Sequence, residues 1–154
     1  MKKVLIFLFA LVTFAACKKD TEKAEEVTPK DPAAAIAGKY ALTSFSLESD
    51  GESVLEYSKL PVTEDGVTVS AIATVEKTTE GKVSLVLLLK ATGEQDRELD
   101  LSEYEVRANG STYGLYFSGT GDQIGEIKDG RLSYQASATA DDGSALEILF
   151  EARK

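Results

Sequence analysis

The 154 residues carry 17 Lys and Arg against 26 Asp and Glu, a net charge of −9, with no histidine and a single cysteine. That length suits one domain, and the acidity repels nucleic-acid phosphates. The missing histidine removes Ser-His-Asp triads, Cys-His dyads and His-ligated zinc, while one cysteine excludes an intrachain disulfide and any Cys-rich metal site, so no cofactor or metal is expected.

Met1-Lys2-Lys3 is a short basic segment, and Val4 to Ala16 is a 13-residue run in which only Thr13 is polar. A spanning helix needs about 20 apolar residues, so this run reads as the core of a secretory signal peptide over 1–16. Phe14-Ala15-Ala16-Cys17 resembles the lipobox of bacterial lipoproteins, with Phe14 where leucine is usual. The resemblance implies that Cys17 becomes the first residue after cleavage and carries acyl chains. Each buried CH₂ contributes about 0.8 kcal/mol, so more than one chain anchors the protein stably to a membrane. Lys18-Lys19-Asp20 resembles the surface-export signals of Bacteroidetes lipoproteins, which implies an outer-membrane anchor. Surface display and the periplasmic face are both open.

Residues 17–36 combine this cysteine with a charged tether ending near Pro29 and Pro32. Such a segment is a flexible, extended linker. Ala33 to Ile36 can form one helical turn leading into a domain over 37–154.

From Gly38 on, turn-forming dipeptides recur: Asp50-Gly51, Asp65-Gly66, Glu80-Gly81, Asn109-Gly110, Asp129-Gly130 and Asp142-Gly143. Glycine accepts positive φ without a Cβ clash, and Asp or Asn tolerates the adjoining turn position. Between the turns, apolar residues alternate with polar ones, as half-buried strands require. Val69, Ala71 and Ala73 share one face; Leu85 and Leu87 share another; so do Tyr113, Leu115 and Phe117, then Tyr134 and Ala136, then Ile148 and Phe150. Between Gly38 and Glu48 the apolar parity switches, from Tyr40 and Leu42 to Phe45 and Leu47, which predicts a bulge near Thr43-Ser44. Val83 to Leu89 is apolar on both faces. Either the Ala33–Ile36 segment or a loop covers Val86 and Leu88, or that face docks a partner.

These signals predict an all-β domain of about eight strands. Closing an up-and-down antiparallel sheet into a barrel removes its bare edges; a β-sandwich is the alternative. Gly38-Lys39-Tyr40 and the closing Asp129-Gly130-Arg131-Leu132-Ser133-Tyr134 with the final strand to Lys154 resemble lipocalin-like domains of Bacteroidetes lipoproteins. The resemblance implies that Tyr40, standing where those domains have tryptophan, closes the barrel bottom. It implies a basic residue of the last strand, Arg153, over that ring as a cation–π contact.

An eight-stranded barrel holds side chains or one small ligand. The inward set Val69, Ala71, Ala73, Leu85, Leu87, Tyr113, Leu115, Phe117, Tyr134, Ala136 and Ile148 is therefore the candidate lining for a small hydrophobic or amphipathic ligand. Two other outcomes compete. Large residues facing the alanines would fill the core, leaving a non-catalytic accessory protein of an envelope complex that works through its outer surface. Catalysis would have to use the carboxylates of Glu94 to Glu105; alternating acids on a strand read instead as a solvated face, and no enzyme activity is expected. Asp141-Asp142-Gly143 and Glu64-Asp65-Gly66 lack the spaced oxygens of a calcium loop. A monomer is expected.

Replacing the attachment point tests the anchor. Cys17→Ala should release the protein from the membrane fraction or leave it unprocessed; unchanged fractionation would show that Cys17 carries no anchor.

Overall fold

The computed structural model describes residues 31–140 and 142–154. The expected signal peptide, Cys17 and the expected tether up to residue 30 lie outside the described residues. A short helix, α1 (Pro32–Ile36), precedes ten strands. They are β1 (Gly38–Ser49), β2 (Glu52–Tyr57), β3 (Val62–Glu64), β4 (Val67–Thr79), β5 (Lys82–Ala91), β6 (Arg97–Asn109), β7 (Thr112–Phe117), β8 (Gln123–Lys128), β9 (Arg131–Thr139) and β10 (Ala145–Arg153).

From β4 to β10 each strand pairs with its chain neighbour, and β1 pairs with both β10 and β4. Eight antiparallel strands thus form a closed, up-and-down, lipocalin-like barrel, and the sandwich alternative is not adopted. The hairpins follow the predicted turn chemistry. Asp50-Gly51, Asp65-Gly66 and Asp129-Gly130 all have positive φ at both residues, the backbone that lets a two-residue loop match the twist of its strands.

Strand β1 divides its edge between two partners. Gly38–Ala41 pair with β4, and Phe45–Ser49 pair with β2. The changeover is a bulge between Leu42 and Ser44, where the parity switch in the sequence predicts it. The bulge lets Tyr40, Leu42 and Phe45 all point into the barrel, each buried. The Thr43 carbonyl accepts the Leu60 N–H at 2.8 Å, which draws the β2–β3 connection against the wall, and Leu60 is buried there.

At one end the barrel is closed. Tyr40 donates its hydroxyl to the Ile36 carbonyl at 2.6 Å, and burial pushes its pKa up. Ala33 and Ile36 belong to the buried core, so α1 packs as part of the barrel's closed end. Asp31 accepts from Ala33 N at 3.1 Å and Gly81 N at 3.3 Å, and pairs with Lys77. The helix is therefore bonded at the closed end and does not cover Val86 and Leu88. Those two are half-buried on the outer wall between Ile72 and Thr74 on β4 and Glu98 and Asp100 on β6.

The cation over Tyr40 is Lys154, not Arg153. Its Nζ lies 5.6 Å from the ring centroid and donates to the Ala37 carbonyl at 2.9 Å. Arg153 sits in register with Ala41 and Arg131 and is exposed. Alternation explains the correction: Ala152 points inward and buried, so Arg153 must point out. Lys154 lies just past the end of β10, with its N–H bonded to the Gly130 carbonyl at 2.8 Å, and its side chain reaches back under the barrel. Gly38 makes room for it. A Cβ there would stand 2.8 Å from Lys154 Cε, and Gly38 has φ +147.

The Lys77 ammonium, with the N–H of Gly81 and Ala33, holds the Asp31 carboxyl below its ordinary 3.8. A carboxylate whose pKa is lower in the folded state stabilises above the unfolded pKa, and that stabilisation is lost as pH falls through the folded value. The Tm of the wild type should therefore exceed that of Asp31→Asn near neutrality, and the gap should close as pH drops below 3.8. A pH-independent gap would show that the charge contributes nothing.

Candidate functional site

The inward face is packed in one half of the barrel and open in the other. Near the closed end Val75, Val83, Leu85, Tyr104, Leu115, Leu132 and Ala152 are buried, with Tyr40 beneath them. Across the middle runs a chain of four rings. Phe117 meets Tyr104 edge-on at 5.3 Å, Tyr104 meets Tyr134 edge-on at 6.1 Å, and Tyr134 stacks on Phe150 at 4.8 Å. Edge-to-face and offset contacts of this kind add about 0.5–1.5 kcal/mol each beyond area burial.

Two buried hydroxyls sit inside this layer. Tyr104 and Tyr134 share a hydrogen bond at 2.8 Å, and Tyr104 also donates to the Leu101 carbonyl at 2.5 Å. With its one proton directed at Leu101, Tyr104 accepts from Tyr134. Burial raises the pKa of both phenols, so they remain neutral. Gly125 lets the wall close around them. A Cβ there would lie 2.8 Å from the Ser133 carbonyl and 3.6 Å from the Tyr134 ring.

The candidate ligand-lining residues divide accordingly. Ala71, Ala73, Leu85, Leu87, Leu115 and Tyr134 are buried in the packed core. There Ala71 and Ala73 are closed off from solvent and offer no open space. Val69, Tyr113, Phe117, Ala136 and Ile148 are partly buried against that core. Val69 lies toward the open end, and Phe117 and Ala136 border a break in the wall.

Two openings reach this half. The first is an apolar cleft of about 360 Å³ at the barrel mouth. Leu55 and Tyr57 of β2, Val67 and Val69 of β4 and Leu89 of β5 form its walls, and Lys90, Glu94 and Arg97 ring it. The second is a lateral groove of about 950 Å³ beside β8 and β9, where Phe117, Ile124, Tyr134, Ala136 and Leu149 lie among Asp122, Glu126 and Glu151.

Tyr104 and the β2 residues escape a reading by alternation. In β6 the register shifts between Leu85 and Val86 of its partner, and Ser102 has φ +112. That bulge puts Leu99 and Leu101 out of parity with Tyr104 and Val106, as Thr43 does in β1. Several carboxylates of this segment are engaged in exposed pairs. Asp96 meets Lys90 at 3.0 Å, Glu103 meets Lys82 at 3.3 Å, and Glu105 meets Arg107 at 3.1 Å. Among the described residues no group of three or more Cys, Asp or Glu comes together as a metal site, and no charged side chain is buried.

The architecture is that of an all-β, lipocalin-like barrel. Compared with known protein families the chain matches no family model, and it matches no curated protein.

The tyrosine pair makes an asymmetric prediction. Tyr134→Phe leaves Tyr104 bonded to Leu101 and should cost about 1 kcal/mol, whereas Tyr104→Phe strands the buried Tyr134 hydroxyl and should cost about 1–3 kcal/mol. Denaturant unfolding of both variants measures the difference; equal costs would mean that Tyr134 finds another partner.

Proposed function

We propose that this protein is a non-catalytic, lipid-anchored lipoprotein of the bacterial envelope whose barrel mouth holds the apolar part of a small amphipathic ligand. The observation that carries the reading is the cleft of Leu55, Tyr57, Val67, Val69 and Leu89, apolar in its walls and charged at its rim. Binding pockets commonly combine apolar walls with a few polar groups that orient the ligand. The packed lower half supports a shallow, partial insertion and not a deep calyx: a tail reaches the level of the aromatic layer and stops. Lys90 and Arg97 at the rim, paired with Asp96 and Glu94, offer charged groups to a polar head.

The lipobox-like Phe14-Ala15-Ala16-Cys17 supports anchoring through acyl chains on Cys17, and Lys18-Lys19-Asp20 supports the outer membrane as its site. The tether joins the domain at Asp31, at the closed end. Under this reading the mouth lies at the far end of the domain from the attachment point. A second reading, an accessory subunit of an envelope complex, draws on the filled lower barrel and on the exposed apolar residues Val54 and Leu149, 59% and 44% accessible.

A fluorescent long-chain fatty acid should bind the purified protein and be displaced by unlabelled fatty acid. A carboxylate placed in the apolar cleft would have to be desolvated on binding. Val67→Asp and Val69→Asp should thus each weaken the probe by about tenfold or more, with Val67→Asp leaving Tm nearly unchanged because Val67 is 42% accessible. Absence of binding, or binding indifferent to both changes, would overturn the mouth as a ligand site.

A further inference from the structure

The barrel wall is unequal in height. Strands β7 and β8 have six residues each, while β6 has 13 and β9 has nine. The β8–β9 ladder ends at Gly125–Tyr134, so Gln135–Thr139 pair only with β10. The β6–β7 ladder ends at Tyr104–Phe117, so the start of β6 pairs only with β5. Two strands are missing from the wall here, a gap of roughly 14 Å at about 4.8 Å per strand spacing.

The edges bordering this gap differ in kind. Arg97, Glu98, Asp100 and Glu103 line the β6 side, and the bulge at Ser102 twists it, both devices that keep other strands away. The β9 side reads Gln135-Ala136-Ser137-Ala138-Thr139. It holds no charge, no proline and no bulge, and four of its five residues are exposed. The direction of its backbone groups follows from the turn. Lys128 and Arg131 flank the two-residue Asp129-Gly130 loop and form a hydrogen-bonded pair; alternation carries that parity through Ser133 to Gln135, Ser137 and Thr139. The opposite parity faces β10, as the bond from Ala140 N to Ser144 O at 2.9 Å shows. Among the described residues, the N–H and C=O groups of Gln135, Ser137 and Thr139 have no ladder partner on the side of the lateral groove.

We infer that this edge receives an extended peptide from another protein, added as a strand beside β9, and that the peptide is basic with interspersed apolar residues. Small side chains at Ala136, Ser137 and Ala138 allow close approach of a second backbone. The groove wall supplies three carboxylates, Asp122, Glu126 and Glu151, and no cation, together with apolar surface at Phe117, Ile124 and Leu149. Charge decides between occupants: a second copy of this chain, net −9, would bring an uncharged edge and its own carboxylates against these. Main-chain bonds provide the affinity in this mode, and alternate side chains provide selectivity.

The probe is an acetylated octapeptide of alternating lysine and valine, with the glutamate–valine octapeptide as control, titrated into the full-length protein in detergent and followed by amide NMR. Saturating lysine–valine peptide should slow exchange of the Gln135, Ser137 and Thr139 amides about tenfold or more, and the control should not. Ser137→Pro removes a donor that faces the groove and not the ladder, so it should abolish binding while the barrel keeps its strand signature. Glu126→Lys, at a half-buried position of the groove wall, should weaken binding about tenfold without touching the edge. Equal binding of the two peptides, unchanged exchange at the three amides, or protection that appears with rising protein concentration alone would each overturn the proposal, the last in favour of a second copy.

Discussion

The pairing of β1 with both β10 and β4 is the constraint on which this molecule rests. Without it β4 to β10 would be an open, twisted ribbon with a bare strand at either side. One strand can serve two partners only if it changes direction, and the bulge at Thr43 provides that change. Below the bulge β1 completes the ring; above it β1 leaves the ring and takes β2 as its neighbour. The bulge also keeps Tyr40 and Phe45 on the inner side despite their opposite parity. Closure and core packing therefore depend on the same extra residue.

The asymmetry between the two ends follows. At the closed end β1 is tied to β4 and β10, and α1, Tyr40 and Lys154 stack beneath the core through bonds from Tyr40 to Ile36 and from Lys154 to Ala37. At the other end β1 and β4 diverge, with β2 and β3 attached to each, and β7 and β8 stop short. Apolar side chains there are only half covered. The aromatic layer from Phe117 to Phe150 marks the level at which packing gives way to opening. The cleft lies above it and the lateral groove borders it, so one feature of strand pairing supplies both surfaces assigned to binding.

Much of this was legible in the residues, and the failures share a cause. Asp-Gly turns and period-two alternation located the hairpins because both are local: a turn is decided by the φ its two residues tolerate, and a strand face by neighbours two apart. The β1 bulge was readable from its parity switch. The β6 bulge was not, because charged residues at Glu98, Asp100 and Glu103 masked the switch and Tyr104 stood alone among acids. Arg153 was placed inward by likeness to a motif, whereas its parity with the buried Ala152 already directed it outward. Ala71, Ala73 and Ala136 looked equally like cavity lining. Which alanine is enclosed and which borders an opening depends on strands far apart in the chain.

The sequence by itself determined the class of fold and the positions of the turns, because each of these depends on properties of adjacent residues. Tertiary structure alone decided how full the barrel is, which basic residue lies over Tyr40, and where the wall is low. Those outcomes depend on ladder length and register between strands, such as the stop at Gly125–Tyr134. No stretch of chain shorter than the whole barrel contains that information.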